Sequence, residues 1–155
     1  MPVISLRGGD AVFDEKDLHL IKEFKGVHIN ENGYVVGYKY QGKKIKWSRL
    51  HRIILDAKKG FEVDHINGNR ADNRRCNIRL CTVSQNRRNC GLKKHNKVGL
   101  KGVERRRDSG GFTAYIRVDG KKKYLGSFPT AIDAARAFDK AAIQRDGEFA
   151  RINGV

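Results

Sequence analysis

The chain has 155 residues, of which 33 are lysine or arginine and 17 are aspartate or glutamate, so its formal net charge is +16. A charge this large exceeds what solubility requires and indicates a polyanionic partner. No apolar run is long enough to cross a membrane, and the N-terminus lacks the basic-then-apolar pattern of a signal peptide, so we expect no membrane association and a cytoplasmic protein.

The first part of the chain has the pattern of a small mixed domain. Asp14 can cap a short helix with an apolar face. Asn32-Gly33 and Gln41-Gly42 separate segments rich in Val, Tyr and Ile, which predicts hairpin strands and their turns. A second helix is expected from Ser48 to near Gly60, with His51 beside its apolar stripe and available to an outer surface.

The stretch from Val63 to Asn89, "VDHINGNRADNRRCNIRLCTVSQNRRN", places an acid and a histidine side by side and spreads asparagines among arginines. Its pattern predicts a strand, a turn at Gly68 followed by an irregular loop, a strand "IRLCT", and a helix that begins near Ser84. The positive charge is concentrated here, because nine lysine or arginine residues and one acid lie between Arg70 and Lys97. This distribution favours a nucleic acid as the partner.

The same stretch contains the groups that phosphodiester hydrolysis requires. His65 can act as the base that activates water, since a neutral imidazole accepts a proton at neutral pH. Asn77 is the candidate neighbour whose side-chain carbonyl fixes the orientation of the His65 ring. Asp64 and Asn86 offer the oxygen ligands that suit Mg²⁺. On a strand the side chains of Asp64 and His65 point to opposite sides, so base and metal can flank the scissile phosphate.

The cysteines suggest an alternative to a magnesium site. Cys76, Cys81, Cys90 and His95 could supply four zinc ligands, but no pair has the two-residue spacing of common zinc knuckles. An odd number of cysteines without an export signal also argues against a disulfide framework. We expect reduced, partly buried thiols.

"LHRIIL" together with the stretch from Val63 to Asn89 resembles the HNH endonucleases of the phage and intron-encoded homing type over about forty residues. The resemblance implies a ββα-metal site with one Mg²⁺ or Mn²⁺ ion on Asp64 and Asn86, His65 as general base and Asn77 as the residue that orients it. Asn86 stands where the family name has its last histidine, as in the homing-type branch. His51 either approaches a phosphate or braces its helix, and we favour bracing. The resemblance also suggests a phage or mobile element as the origin, and thus a bacterial host cell.

From Gly91 to Gly99 the chain is polar, basic and without periodicity, which predicts a linker whose lysines can touch phosphates. We therefore predict a first domain at residues 1–92 with its motif core at 48–92, a basic linker at 93–99 and a second domain at 100–155. In the second domain we expect strands at 102–107, 112–118 and 121–128. Thr130 caps a following helix that has a continuous alanine-rich face.

Alternation along the strand 112–118 places Ala114 and Ile116 toward this helix and leaves Thr113, Tyr115 and Arg117 on an open face. Such a face either enters a DNA major groove or is a solvated surface. The candidate DNA-binding residues, from this face and from the basic segment before it, are Arg106, Arg117, Lys122, Tyr124, Arg87, Arg88, Lys93 and Lys94.

"GVERRRDSGGFTAYIRVDGKKKYLGSFPTAIDAARAFDKAA" resembles the Apetala-type (ethylene-response) DNA-binding domain. The resemblance implies that Arg106, Arg117, Lys122 and Tyr124 occupy positions that touch DNA. Glu104 stands where the plant domains carry arginine, so only the docking mode is carried over, without the sequence preference.

These observations together predict an α+β protein, with a ββα-metal nuclease core preceded by hairpin strands and followed by a three-stranded antiparallel sheet packed on one helix. The expected function is metal-dependent cleavage of double-stranded DNA by a monomer or homodimer, with nicking as the default for a monomer. The alternatives are a non-catalytic, sequence-specific DNA-binding or regulatory protein on the same scaffold, and an RNA-binding protein. RNA is disfavoured because the A-form major groove is too narrow for such a sheet.

Overall fold

The computed structural model describes residues 2–92, 95–107 and 110–155 and confirms an α+β architecture. The chain divides into two compact units, one ending at Asn86 and the other beginning at Arg87. No helix in the described ranges is both long enough and apolar enough to span a bilayer.

The first unit is built from short antiparallel sheets and short helices. Its strands are β1 (Val3–Leu6), β2 (Gly9–Val12), β3 (Lys25–Ile29), β4 (Val35–Gln41), β5 (Lys44–Arg49), β6 (Glu62–His65) and β7 (Ile78–Cys81). Its helices are α1 (Leu18–Lys22), α2 (Leu50–Ile54) and α3 (Val83–Arg88), the last of which crosses into the second unit. The strands pair as β1-β2, β3-β4-β5 and β6-β7.

The core of the first unit contains residues from all three sheets. Its buried apolar side chains are Ala11, Phe13, Ile21, Phe24, Val35, Leu50, Ile54, Val63 and Ile78. Phe13 and Leu50 are almost completely buried, and each large side chain buried in this way contributes about 1.5–3 kcal/mol to folding. Val63 and Ile78 anchor the β6-β7 hairpin in this core. Asp64 and His65, which follow Val63 on β6, are thereby held in fixed positions.

The β6-β7 hairpin and α3 form the predicted ββα unit. Asp64 pairs with Arg79 and His65 with Ile78 in the antiparallel register. The helix begins with a capping box, in which Thr82 Oγ1 accepts from Gln85 N and Gln85 Oε1 accepts from Thr82 N, at 3.2 and 2.8 Å.

Two local expectations in the first unit are wrong. The helix expected to run from Ser48 to near Gly60 ends at Ile54, because Arg52 donates to the carbonyl oxygens of Ala57, Lys58 and Phe61 and holds the chain in a loop. Asp14 occupies the N-cap position of a short 3-10 helix, Glu15–Asp17, but its side chain makes no capping hydrogen bond. Its carboxylate instead accepts from Arg75 N at 2.7 Å, which ties the start of the chain to the β6-β7 loop.

The second unit is a three-stranded sheet with one helix packed on it. Its strands β8 (Val103–Arg105), β9 (Phe112–Val118) and β10 (Lys121–Phe128) are ordered β10-β9-β8, and its helix is α4 (Ala131–Asp146). Thr130 Oγ1 accepts from Asp133 N and caps α4 as predicted. The core side chains between helix and sheet are Val103, Ala114, Ile116, Ala134, Ala135, Phe138 and Ala142.

Glycine at position 102 allows this close packing. Its φ is +75°, and a Cβ atom there would lie 2.0 Å from Phe138 Cδ2.

The segment after Asn86 also packs within the second unit, since Arg88 pairs with Asp146 at 3.3 Å and Lys101 donates to the carbonyl oxygens of Arg88 and Cys90. The predicted domain limit at residue 92 stays a prediction.

Candidate functional site

His65 lies at the end of β6 with its ring almost completely buried, at 5% exposure. Its Nε2 is 3.3 Å from Asn73 Oδ1, while Asn73 Nδ2 donates to the carbonyl oxygen of Ala71. The second bond fixes the Asn73 amide with its oxygen toward the ring, so Nε2 of the neutral histidine carries the proton and Nδ1 carries the lone pair. Asn73 is therefore a residue that orients His65.

The sequence analysis assigned the role of orienting His65 to Asn77 and gave no role to Asn73, which lies in the irregular loop after Gly68. The Asn77 side chain is buried and spans the base of the loop: its Oδ1 accepts from Asn67 N at 3.0 Å and its Nδ2 donates to the carbonyl oxygen of Asp72 at 2.8 Å. These bonds hold the loop that carries Asn73. A direct role for Asn77 on His65 stays a prediction.

A second histidine packs against the first. The ring of His51, on α2, is 5.0 Å from the ring of His65 between centroids and 5.3 Å from that of Tyr34. His51 is 2% exposed, so the expectation that it faces an outer surface is wrong. His51 is buried because it lies on the side of α2 that packs against Tyr34 and His65. Arg52, the next residue, binds the loop that follows the helix. The bracing role favoured for His51 agrees with this burial.

Burial and nearby cations keep both histidines neutral. Burial, followed by the charges of His65, Arg49 and Arg52, lowers the pKa of His51 to about 3. Burial also lowers the pKa of His65, and Arg70 acts in the same direction, while Asn73 and two acids oppose it. A histidine that is neutral at pH 7 has a lone pair available to accept a proton.

Two arginines pack on Tyr34, the aromatic ring next to both histidines. The guanidinium carbons of Arg49 and Arg70 each lie 4.6 Å from the ring centroid of Tyr34. Tyr34 in turn is 6.1 Å from the ring of His65. The arrangement places two cations close to the candidate base, where they can attract phosphates.

Asp64 lies on the other face of the hairpin, as the alternation along β6 predicts. Its Oδ2 accepts from Arg79 Nε and Nη2 at 3.0 and 2.8 Å, and the carboxylate is 4% exposed. This cross-strand pair compensates the buried charge of Asp64.

Asn86 on α3 is brought to the same face as Asp64. Its Nδ2 donates to Glu62 Oε2, and Glu62 shares a face with Asp64 because the two are separated by one residue on β6. The bond to Glu62 fixes the amide nitrogen of Asn86 and thereby the direction of its oxygen. The sequence analysis did not identify Glu62. Its position two residues before Asp64 on a strand could have indicated that the two side chains share a face.

The oxygen atoms on this face suit a hard divalent cation. Asp64 supplies a carboxylate and Asn86 an amide oxygen, which are ligands that Mg²⁺ accepts. Cys81 is nearby, but burial and the charges of Asp64 and Glu62 raise the pKa of its thiol to about 11. A protonated thiol is a poor ligand for a soft metal, so the donor set fits magnesium better than zinc. In the described part of the chain, no three His, Cys, Asp or Glu side chains converge as a metal site.

Several cations counted in the basic segment have structural partners. Arg74 pairs with Asp72 at 2.6 Å and Arg75 with Asp17 at 2.8 Å. With the pairs made by Arg79 and Arg88, these bonds neutralise acids that are buried in the fold. The charge of this segment is therefore partly structural. Arg87 is exposed, and Lys93 and Lys94 lie outside the described residues.

The predicted face of the second unit carries its candidate residues in exposed positions: Arg106, Arg117, Lys122 and Tyr124. Lys122 Nζ lies 3.8 Å from the Tyr115 ring centroid and pairs with Glu104 at 2.7 Å. The rings of Tyr115 and Tyr124 are 5.7 Å apart. Thr113, expected on this open face, is buried at 7% exposure. The contact of these residues with DNA stays a prediction.

Comparison with known proteins finds similarity to proteins described as HNH endonucleases. Residues 48–88 match the sequence model of the family described as HNH endonuclease. An uncharacterized HNH endonuclease, L560, of Acanthamoeba polyphaga mimivirus is 29% identical over 130 residues, which are 83% of this chain and 66% of the viral protein. The solved structure of the HNH homing endonuclease I-HmuI is similar at a TM-score of 0.40 and 21% identity, covering 79% of this chain and 75% of that one. The structural similarity to I-HmuI, at this TM-score and identity, carries no information about the activity of this chain.

A second group of relatives is from plants. Dehydration-responsive element-binding protein 2A, from the indica and japonica subspecies of Oryza sativa, is 42% identical over 65 residues, or 41% of this chain. The chain spans 23% of the length of each rice protein and just under two thirds of the viral one.

Proposed function

We propose that this chain is a metal-dependent DNA endonuclease that hydrolyses phosphodiester bonds. The observation that carries the proposal is the β6-β7-α3 unit, which holds a buried neutral histidine on one face and a carboxylate and an amide on the other. This unit lies within the segment that matches the HNH endonuclease family. The formal net charge of +16 supports a nucleic acid as the substrate.

In the proposed reaction His65 accepts the proton of the attacking water at Nδ1. Asn73 holds the opposite ring nitrogen, so the base approaches the water in one tautomer and one orientation. Arg49 and Arg70, which both pack on Tyr34, attract the phosphates next to the scissile one. These groups perform binding, orientation and proton transfer.

Asp64 and Asn86 would hold one Mg²⁺ or Mn²⁺ ion. When bound, such an ion neutralises the phosphate charge and stabilises the leaving oxygen. Glu62 keeps the Asn86 amide in a single orientation, and Arg79 keeps the Asp64 carboxylate in place.

The second unit is proposed to hold double-stranded DNA, with the β8-β9-β10 face in the major groove and Arg87, Arg88, Lys93 and Lys94 near the backbone. The rice DNA-binding relatives support this assignment. One site cuts one strand per encounter, so a monomer nicks DNA and a homodimer can cut both strands. We further propose a phage or mobile-element protein of the homing type that acts in the cytoplasm of a bacterial host.

The second candidate function is a non-catalytic DNA-binding or regulatory protein. The plant relatives favour it, since their names describe binding to a DNA element. In that case the ββα unit only supports the fold.

Plasmid cleavage separates the two functions. Supercoiled plasmid is incubated with Mg²⁺ and with wild type, His65→Ala, or His19→Ala, which removes an exposed histidine outside the site. The nuclease predicts nicked or linear product for wild type and His19→Ala, and none for His65→Ala or with EDTA. If wild type shifts DNA in a gel but cuts it with neither Mg²⁺ nor Mn²⁺, the protein is a binding module.

A further inference from the structure

One face of the β3-β4-β5 sheet carries an exposed cluster of aromatic side chains. Tyr38 pairs with Trp47 and Tyr40 with Ile45 in the β4-β5 register, so all four side chains are on the same face, and His28 of β3 adjoins them. We call these five residues the aromatic face. Tyr40, Ile45 and Trp47 are 57%, 53% and 54% exposed. The Tyr38 ring lies 5.7 Å from that of Tyr40 and 5.0 Å from that of Trp47.

The aromatic face is not the side by which this sheet packs on the core. Val35 and Gly37 are on the opposite face of β4 and are buried, and a Cβ atom at Gly37 would lie 2.9 Å from Phe24 Cβ. The sheet thus packs on Phe24 with one face and leaves its aromatic face open to solvent. Two exposed rings, Tyr40 and Trp47, together with the exposed Ile45 on one surface indicate a binding site.

The charges around the aromatic face select an anionic ligand. Lys25 Nζ lies 5.5 Å from the Tyr40 ring centroid at one end. Arg49, which shares this face of β5 with Trp47, stands at the other end over the ring of Tyr34. Lys43, in the turn between β4 and β5, is exposed beside the face. Rings flanked by cations match a nucleic acid strand, whose bases stack on aromatics while its phosphates bind lysine and arginine.

The aromatic face also leads to the proposed active site. A cleft of about 390 Å³ joins Trp47 to Arg49 and is lined by His28, Asn30, Val36, Trp47, Ser48 and Arg49. Arg49 stacks on Tyr34, whose ring is next to that of His65. A strand whose phosphate lies at His65 can therefore continue along the cleft and onto the aromatic face.

We infer that the aromatic face binds the unpaired bases of a single-stranded DNA segment next to the cleavage site. A duplex hides the flat surfaces of its bases in the stack, so it offers these rings nothing to stack on. The face presents three aromatic rings beside three cations, so it fits a ligand with both bases and phosphates better than one with phosphates alone. The inference rests on the proposed function in naming DNA as the ligand and in placing the segment next to a cleavage site, but its test requires no cleavage.

The binding test uses the full chain carrying His65→Ala, in EDTA. The DNA is then not cleaved, and the measurement reports binding alone. Trp47 is the only tryptophan of the chain, and its fluorescence therefore reports directly on the aromatic face. We expect oligothymidine of about 12 nucleotides to quench this fluorescence, and an abasic strand of equal length and charge to bind at least about tenfold more weakly. Equal affinity for the two strands, or quenching by duplex DNA alone, would overturn the inference.

Substitutions locate the site. Tyr40→Ala, in the same His65→Ala background, should weaken binding of labelled oligothymidine by about tenfold, as expected for the loss of one stacked base. Phe61→Ala is the matched control, because Phe61 is an aromatic residue of the same unit with 51% exposure and lies outside the aromatic face. It should bind as the parent does, and equal losses in the two variants contradict the inference.

A second copy of the chain is the competing occupant of this face. If the aromatic face joins two copies, Trp47→Ala converts a dimer to a monomer in size-exclusion chromatography and leaves binding of oligothymidine unchanged. That pair of results would refute a base-stacking site. Weaker oligothymidine binding by Trp47→Ala with unchanged mass supports it.

Discussion

Mild acid should destabilise the first unit because of one buried histidine, His51. Its ring is 2% exposed and packs between Tyr34 and His65, with the charges of Arg49 and Arg52 near it. Its Nδ1 has no hydrogen-bond partner in the part of the chain that the structure describes. Burial lowers the pKa of His51 to about 3, whereas in the unfolded chain the value is about 6.5.

The sign of the effect follows from these two values. Below about pH 6.5 the unfolded chain binds a proton at His51 that the folded chain does not, so acid favours unfolding. Above about pH 6.5 the His51 contribution to the free energy of unfolding is fully present. Below it, the free energy of unfolding falls by about 1.4 kcal/mol per pH unit as the pH drops toward 3. Between about pH 7.5 and about pH 5.5, His51 alone should lower the free energy of unfolding by about 1.4 kcal/mol. His65, whose pKa is also lowered, acts in the same direction.

Urea unfolding followed by Trp47 fluorescence measures this loss, because the single tryptophan lies in the first unit. Wild type is compared with His51→Phe and with His19→Phe, which replaces an exposed histidine. For each protein, the free energy of unfolding at the lower pH is subtracted from that at the higher pH. A change in packing caused by phenylalanine contributes equally at both pH values and therefore cancels. We expect the free energy of unfolding of His51→Phe to fall by about 1.4 kcal/mol less than that of wild type on acidification, and His19→Phe to behave as wild type.

The reasoning is refuted if His51→Phe and wild type have the same pH dependence. His51 would then be protonated in the folded protein or reach solvent, and burial would not determine its charge.

Four other outcomes are expected. Asn73→Ala should reduce plasmid cleavage about tenfold or more at unchanged DNA affinity, because His65 Nε2–H loses its acceptor. Glu62→Ala should reduce cleavage by a similar factor and Glu62→Gln by less, since glutamine retains an acceptor for Asn86 Nδ2; equal losses in both would argue against orientation of Asn86. Cleavage should rise with pH as His65 loses its proton, with the midpoint below pH 6.5 because burial lowers the pKa of His65; a midpoint above that value would exclude a buried base. Gly102→Ala should destabilise the second unit by more than about 2 kcal/mol in thermal unfolding, because its Cβ would meet the Phe138 ring at a positive φ, whereas alanine at Gly120, which faces open space at a similar φ, should cost less.

Elements marked by local signals could be predicted from the sequence. The strands at 112–118 and 121–128 have the predicted limits, since turn residues bound each of them. The helix after Ser48 is shorter than predicted because its end depends on hydrogen bonds of Arg52 to a loop that has no periodic pattern. Local periodicity describes one element and carries no information about such contacts.

The sequence by itself determined that Asp64 and His65 point to opposite faces of one strand, because alternation is a property of the extended backbone. Only the tertiary structure decided that Asn73 reaches His65, that His51 packs against it and that Glu62 holds Asn86. Asn73 lies in an irregular loop, where position in the chain does not set side-chain direction, and His51 and Asn86 belong to separate helices. The direction of a side chain along a strand follows from local geometry, whereas contacts between separate elements depend on how the core packs them together.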